Sequence, residues 1–188
     1  MIELNDITVA EYFELEDKSE YDFAIEFAFV FQQSKDEYLI KDVTDLSFGI
    51  IKDIQDEIEN GEMNFARRCY WISKILNKED ESWIGKEKLI RFITGSNYLI
   101  NEIEKLINAE RIVLAHELTI EEEAAGLDRF NGLGIYLQLR KLAGNDVTKI
   151  EAVKQLPYSL CFTELFTMKQ EYDFQKELNE IYKNKNRD

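Results

Sequence analysis

Apolar side chains recur at intervals of three and four residues along almost the whole chain. No other feature constrains the fold as tightly. This is the spacing of one helix face, not of a strand. It runs through Phe23, Phe27, Val30 and Phe31, then Leu46, Ile50, Ile54 and Ile58, then Phe65, Cys69, Ile72 and Leu76. It resumes at Leu99, Ile103, Leu106 and Ile107 and again at Cys161, Leu165, Met168 and Tyr172, continued by Leu178 and Ile181. Strand-like alternation is nearly absent. One Pro and 8 Gly in 188 residues supply few of the turns that a β-sandwich requires. The expected fold is therefore all-α, a multi-helix protein with helix over roughly 65% of its residues. With 45% hydrophobic residues, among them 12 Phe, 9 Tyr and 2 Trp, the chain can build a core and is not globally disordered. The expected core includes Phe27, Phe31, Leu46, Ile50, Cys69, Ile72, Ile103, Leu139, Leu165 and Met168.

Capping signals divide the pattern into elements. Thr8 and Glu11 form a capping box, in which a hydroxyl and a carboxylate satisfy the orphan N–H groups of a helix start. A short helix through Glu16 follows. Ser19 is the next N-cap, Thr44 caps a third helix, and Asn60-Gly61 ends it. A helix is expected over residues 64–77, then a polar loop over 78–82. The cluster Trp83, Leu89, Ile90, Phe92 and Ile93 precedes a break at Thr94-Gly95-Ser96, with Ser96 capping the next helix. Residues 111–115 read as buried helix or connector. Thr119 and Glu122 repeat the capping box ahead of a helix toward Leu142, interrupted by Gly126, Gly132 and Gly134. Residues 143–146 form a turn, 147–156 a short helical stretch, and Pro157 suits the first position of a long final helix.

Two stretches resemble each other. Val43-Thr-Asp-Leu-Ser-Phe48 and Val153-Lys-Gln-Leu-Pro-Tyr158 lie 110 residues apart, each leads into a long helix, and each follows a capping box. Such an internal repeat implies two similar helical subdomains. The expected organisation is an acidic N-terminal subdomain over residues 1–60, a central helical segment over 61–115 and a C-terminal subdomain over 116–188.

The charge is lopsided. Residues 1–60 carry 17 acidic and 4 basic side chains, a net of −13, whereas residues 61–188 carry 21 and 19, a net of −2. Sign asymmetry of this kind points to a partner, although an acidic helical face also serves solubility. Duplex nucleic acid does not fit that third, because phosphates require Lys and Arg to displace counterions. The candidate partner-binding residues are those off the apolar stripes: Glu11, Glu14, Glu16, Asp17, Glu20, Asp22, Asp53, Asp56 and Glu57.

Motifs that carry chemistry are missing. His116 is the single histidine, and Cys69 and Cys161 stand 92 residues apart, so the spacing of a zinc site is not met. Glu121, Glu122 and Glu123 suit a helix N-terminus better than a metal. Gly132 and Gly134 lack the third glycine of a dinucleotide fingerprint, since Leu137 occupies it. Arg67-Arg68 and Arg140-Lys141 are two basic pairs, too few for a nucleic-acid stripe. No cofactor, metal or catalytic residue is expected. The longest apolar run, from Phe23 to Phe31, is broken by Glu26 and falls short of the ~18 residues of a membrane span. The opening Met1-Ile-Glu-Leu-Asn-Asp6 has no basic region ahead of an apolar one, so no secretory signal is expected. The two cysteines are expected as buried thiols in a reducing compartment.

The turn Leu142-Ala-Gly-Asn-Asp146, the step Leu156-Pro-Tyr158 and the opening Asp6-Ile-Thr-Val-Ala-Glu-Tyr-Phe13 resemble small helical proteins of tailed bacteriophages, of the tail-assembly-chaperone kind. The stretch Leu118-Thr-Ile-Glu-Glu122 is similar in style. The resemblance covers about half of the chain in short pieces, and the segment 61–115 departs from its single-unit pattern. It implies a non-enzymatic role in phage morphogenesis, as a tail assembly chaperone, tail component or connector. The implied partner is a phage structural protein with a basic surface, met in the host bacterial cytoplasm or the virion, with oligomers allowed and no direct contact to nucleic acid or membrane. An acidic inhibitor that mimics nucleic acid in the cleft of a host enzyme is the alternative. A host adaptor follows, and an enzyme comes last.

Overall fold

A computed structural model describes residues 7–19, 21, 22, 25, 42–76, 82–86, 88–115, 126 and 132–185. Among them the protein is all-α, with no strand. The helices are α1 (Val9–Glu14), α2 (Phe48–Glu59), α3 (Phe65–Ile75), α4 (Ser82–Lys86), α5 (Leu89–Val113), α6 (Gly134–Leu142), α7 (Ile150–Lys154) and α8 (Tyr158–Lys185). Single 3-10 turns occupy Val43–Asp45 and Val147–Lys149. The chain forms two compact units, one of residues 1–43 with 53–106 and the other of residues 44–52 with 107–188. This division falls inside α2 and α5, so it cuts the stretches 1–60 and 61–115, whereas 116–188 lies whole within the second unit.

In the first unit α1 starts at its capping box. The Glu11 carboxylate accepts the Thr8 N–H at 2.6 Å, and the Thr8 hydroxyl accepts the Glu11 N–H at 3.3 Å. The same start is tied to α5, because the Leu89 N–H donates to the Ile7 carbonyl at 2.9 Å. Val9 and Tyr12 are buried, and Ala10 faces Gly85 of α4 so closely that an added Cβ there would stand 3.2 Å from it. The aromatic side chains of Tyr12, Phe13, Phe65 and Phe92 join α1, α3 and α5 at centroid distances of 5.2 to 5.7 Å. Asn64 caps α3 by accepting the Arg67 N–H at 3.0 Å. Gly61, at φ 70°, ends α2, and the Glu62 N–H returns to the Glu57 carbonyl at 2.8 Å. The positive φ is why glycine stands there.

Three expectations fail in this unit. No break occurs at Thr94-Gly95-Ser96: α5 runs through it, and the buried Ser96 hydroxyl donates to the Ile93 carbonyl at 2.9 Å. A serine satisfied within its own helix marks no start. Ser19 caps nothing itself, because its N–H and hydroxyl both donate to Asp17 Oδ1, at 3.0 and 2.8 Å. The stripe after it, including Phe27 and Phe31, lies outside the described residues. Cys69 is half-buried rather than core, whereas Ile72 and Ile103 are buried as expected.

The second unit is organised around the two similar stretches. They pair with each other. The Phe48 N–H donates to the Leu156 carbonyl and the Tyr158 N–H donates to the Leu46 carbonyl, both at 2.8 Å. Ser47 and Pro157 therefore stand opposite one another in an antiparallel bridge as a non-hydrogen-bonded pair. At such a position the strand needs no N–H, and proline fits without loss. The Phe48 and Tyr158 rings stack at 5.9 Å. The cap of α2 is Ser47, whose hydroxyl accepts the Ile50 N–H at 3.3 Å, and not Thr44, which lies in the 3-10 turn. Gly144 and Asn145, at φ 63° and 64°, end α6, and Asp146 caps the next turn through Thr148.

Leu139 and Leu165 are buried as expected, but Leu46, Ile50 and Met168 are half-buried. Along α2 the inward residues are Phe48, Ile51, Lys52 and Ile54. A strict interval of four advances about 40° per step around a helix of 3.6 residues per turn, so a stripe read that way drifts off the core. Residues 111–113 continue α5 but are exposed, with Ile112 at 77%, which corrects their reading as buried. The Thr119–Glu122 box, His116 and Glu121 to Glu123 lie outside the described residues.

Candidate functional site

The acidic candidates fall into two sets within the first unit. Glu11, Glu14, Glu16 and Asp17 lie exposed along α1 and the chain that leaves it. Asp22, also exposed, accepts the Tyr12 hydroxyl at 2.5 Å. Burial first, then that bond, pushes the Tyr12 hydroxyl well above its usual range. The Thr8 backbone N–H, then the Thr8 hydroxyl, hold the Glu11 carboxyl below the usual carboxylate range. The Ser19 N–H and hydroxyl do the same for Asp17. Capping box and Asx-type turn thus keep both carboxylates ionised and in place. The second set is Asp53 and Asp56, exposed on α2. Glu20 lies outside the described residues.

Glu57 does not belong with them. It is 8% exposed, and its carboxylate accepts Arg67 on both oxygens and the Trp71 indole N–H at 2.8 Å. The Arg67 hydrogen bond, against the opposing effect of burial, holds its carboxyl below the usual range. The Arg67 guanidinium also lies over the Tyr70 ring at 4.8 Å. Glu57 is a tie between α2 and α3, reached because it is three residues on from the inward-facing Ile54. The next residue along α3, Arg68, donates to the buried Asn97 of α5 at 3.1 Å.

The second unit holds a buried polar cluster that the sequence reading missed. Glu110 of α5 is its centre. Its Oε1 accepts the Lys52 ammonium at 2.5 Å and the Gln138 amide at 2.9 Å, and its Oε2 accepts the Tyr158 hydroxyl at 2.5 Å. Lys52, Glu110 and Tyr158 are 2, 5 and 1% exposed. Lys52 also lies over the Phe48 ring at 5.1 Å. Burial, then the Glu110 bond, pushes the Tyr158 hydroxyl far above its usual range. The signal was present: Lys52 sits four residues after Phe48, and Glu110 three after Ile107, so both charges fall on apolar stripes. A charge at such a position is buried and must be paired. Three donors on one carboxylate meet that need, which makes the cluster a structural lock joining α2, α5, α6 and α8.

Both cysteines are free thiols, and burial pushes the Cys161 thiol up, away from nucleophilic character. Among the described residues no group of three His, Cys, Asp or Glu side chains is placed to hold a metal ion, and no helix is long and apolar enough to cross a membrane. The chain matches no protein-family model, no curated protein and no solved structure.

Proposed function

We propose that the protein is a non-enzymatic protein-binding module that meets a basic partner surface through the exposed carboxylates of α1 and the turn after it. The observation that carries this reading is the run Glu11, Glu14, Glu16 and Asp17, four exposed carboxylates within seven residues, two of them pinned by local hydrogen bonds. Carboxylates held in place lose little entropy on binding and steer a basic surface toward the correct orientation. The buried titratable groups support the same reading, since Tyr12, Glu57, Glu110 and Tyr158 are consumed by bonds within the fold. On the resemblance to phage assembly proteins, the partner is a phage structural protein and the role is morphogenesis.

Reversing Glu14 and Glu16 to Lys tests the surface, because neither side chain holds the fold together. With a phage structural protein recovered alongside the chain by mass spectrometry of virions and assembly intermediates, the reversed protein should associate about tenfold more slowly at low salt. Association at the unaltered rate would leave the carboxylates merely solvated. Recovery with no phage protein would remove the morphogenesis reading.

A further inference from the structure

The last buried side chain of α8 is Leu165. The helix nevertheless continues to Lys185 and carries Phe174, Ile181 and Tyr182 at 59, 51 and 55% exposure. About fifteen residues of helix gain too little from their own hydrogen bonds to be stable in water without a packed face. Glu171, Phe174, Leu178, Ile181 and Lys185 follow one another at intervals of 3, 4, 3 and 4. That is the spacing of a coiled-coil seam. At 100° per residue the seam lies about 140° around the helix from the buried Cys161 and Leu165, and along it Phe174 and Ile181 are exposed and Leu178 half-buried. Its three inner positions are apolar, and its two ends carry opposite charges.

We propose that this seam is a self-association interface, on which a second copy of the chain packs in antiparallel orientation about Leu178. In that register Leu178 meets Leu178 of the second copy, Phe174 meets Ile181, and Glu171 meets Lys185 at both ends. A parallel pair would set Glu171 against Glu171 and Lys185 against Lys185. The charges therefore select the antiparallel pair, and the sequence is complementary to itself in a way that a foreign partner would not require. The seam offers five positions, against about 20–30 residues a side in a standard interface, so the dimer is expected to be a weak one, in the range of roughly micromolar or above.

Sedimentation equilibrium of the full chain tests this at about 0.15 M salt, where a Debye length of about 8 Å screens the repulsion between two chains of net charge −15, and at concentrations from micromolar to several hundred micromolar. The unaltered chain should show a monomer–dimer equilibrium, and Leu178→Asp should abolish it. Glu171→Lys and Lys185→Glu should each weaken the dimer roughly tenfold, since the two-fold arrangement counts every changed pair twice. The double variant Glu171→Lys/Lys185→Glu should restore it. These charge variants sit at exposed positions, and far-UV circular dichroism checks that α8 persists in each. A chain that stays monomeric throughout overturns the proposal. So does a dimer indifferent to Leu178→Asp, or a double variant no tighter than the single ones.

Discussion

At the scale of the residue, the two buried carboxylates among the described residues are the two that an acidic surface cannot use. Glu110 holds three donors in the second unit, and Glu57 holds Arg67 and Trp71 in the first. Removing one partner of a buried pair strands the other, which costs more than the pair itself contributes. Glu110→Ala leaves the Lys52 ammonium buried without its counter-charge and should destabilise the protein by about 3–5 kcal/mol in urea titration. Replacing both charges, Lys52→Met with Glu110→Leu, should recover much of that loss. Equal destabilisation by both variants would refute the stranded-charge account. The pH dependence of Glu57 follows from its depressed pKa. A carboxyl held below its ordinary value contributes stability that is fully present above that value, 4.5, and is lost as pH falls through the lowered one. Glu57→Gln should flatten the acid limb of the stability profile below pH 4.5 and leave the neutral region parallel. Arg67 is partly exposed, so solvent screening keeps the effect below that of the Glu110 cluster.

At the scale of the element, the caps were legible and the helix faces less so. The Thr8–Glu11 box, the Asn60-Gly61 terminus and the turn at Gly144-Asn145 stand where local chemistry requires them, since each depends on residues within one turn. The start of α2 was misread because Thr44 and Ser47 are both competent caps. The choice between them is made by the pairing of Leu46 and Phe48 with a segment 110 residues away. Ser96 misled for the opposite reason: a buried hydroxyl can turn back on its own helix. The similarity of residues 43–48 to 153–158 was visible, but not that the two copies bond to each other. That closeness explains Gly49, which propensity alone would mark for improvement. An Ala Cβ there would stand 2.8 Å from Lys154 Cβ and 3.1 Å from its carbonyl oxygen. Gly49→Ala should therefore destabilise the fold in thermal unfolding, although Ala in a helix is favoured over Gly by about 1 kcal/mol. Gly134→Ala, at the first turn of α6 with nothing within 4 Å, should be neutral or stabilising. A stabilised Gly49→Ala would mean that the bridge between the repeated segments yields at little cost.

At the scale of the whole molecule, the net charge of −15 acts differently on the two proposed associations. Composition revealed that charge, but only the fold separates its uses, with carboxylates displayed on α1 and an apolar seam on α8. Toward a basic surface the charge attracts, and the attraction is screened over about 30 Å at 0.01 M salt and about 8 Å at 0.15 M. Association with such a partner should slow steadily as salt rises. Between two copies the same charge repels. The seam offers two opposed pairs of unit charges at close range. The product of the net charges exceeds theirs by about two orders of magnitude, while the separation is larger by less than about tenfold. Repulsion therefore governs self-association at low salt, and screening relieves it. The dimer should tighten between 0.01 and 0.15 M salt over the interval in which association with a basic partner weakens, read by sedimentation for one and stopped-flow for the other. Opposite slopes follow only if attraction resides in the acidic face of α1 and cohesion in the apolar seam of α8. Parallel slopes would mean that one surface serves both contacts, which the burial of Glu57 and the exposure of Phe174 and Ile181 argue against.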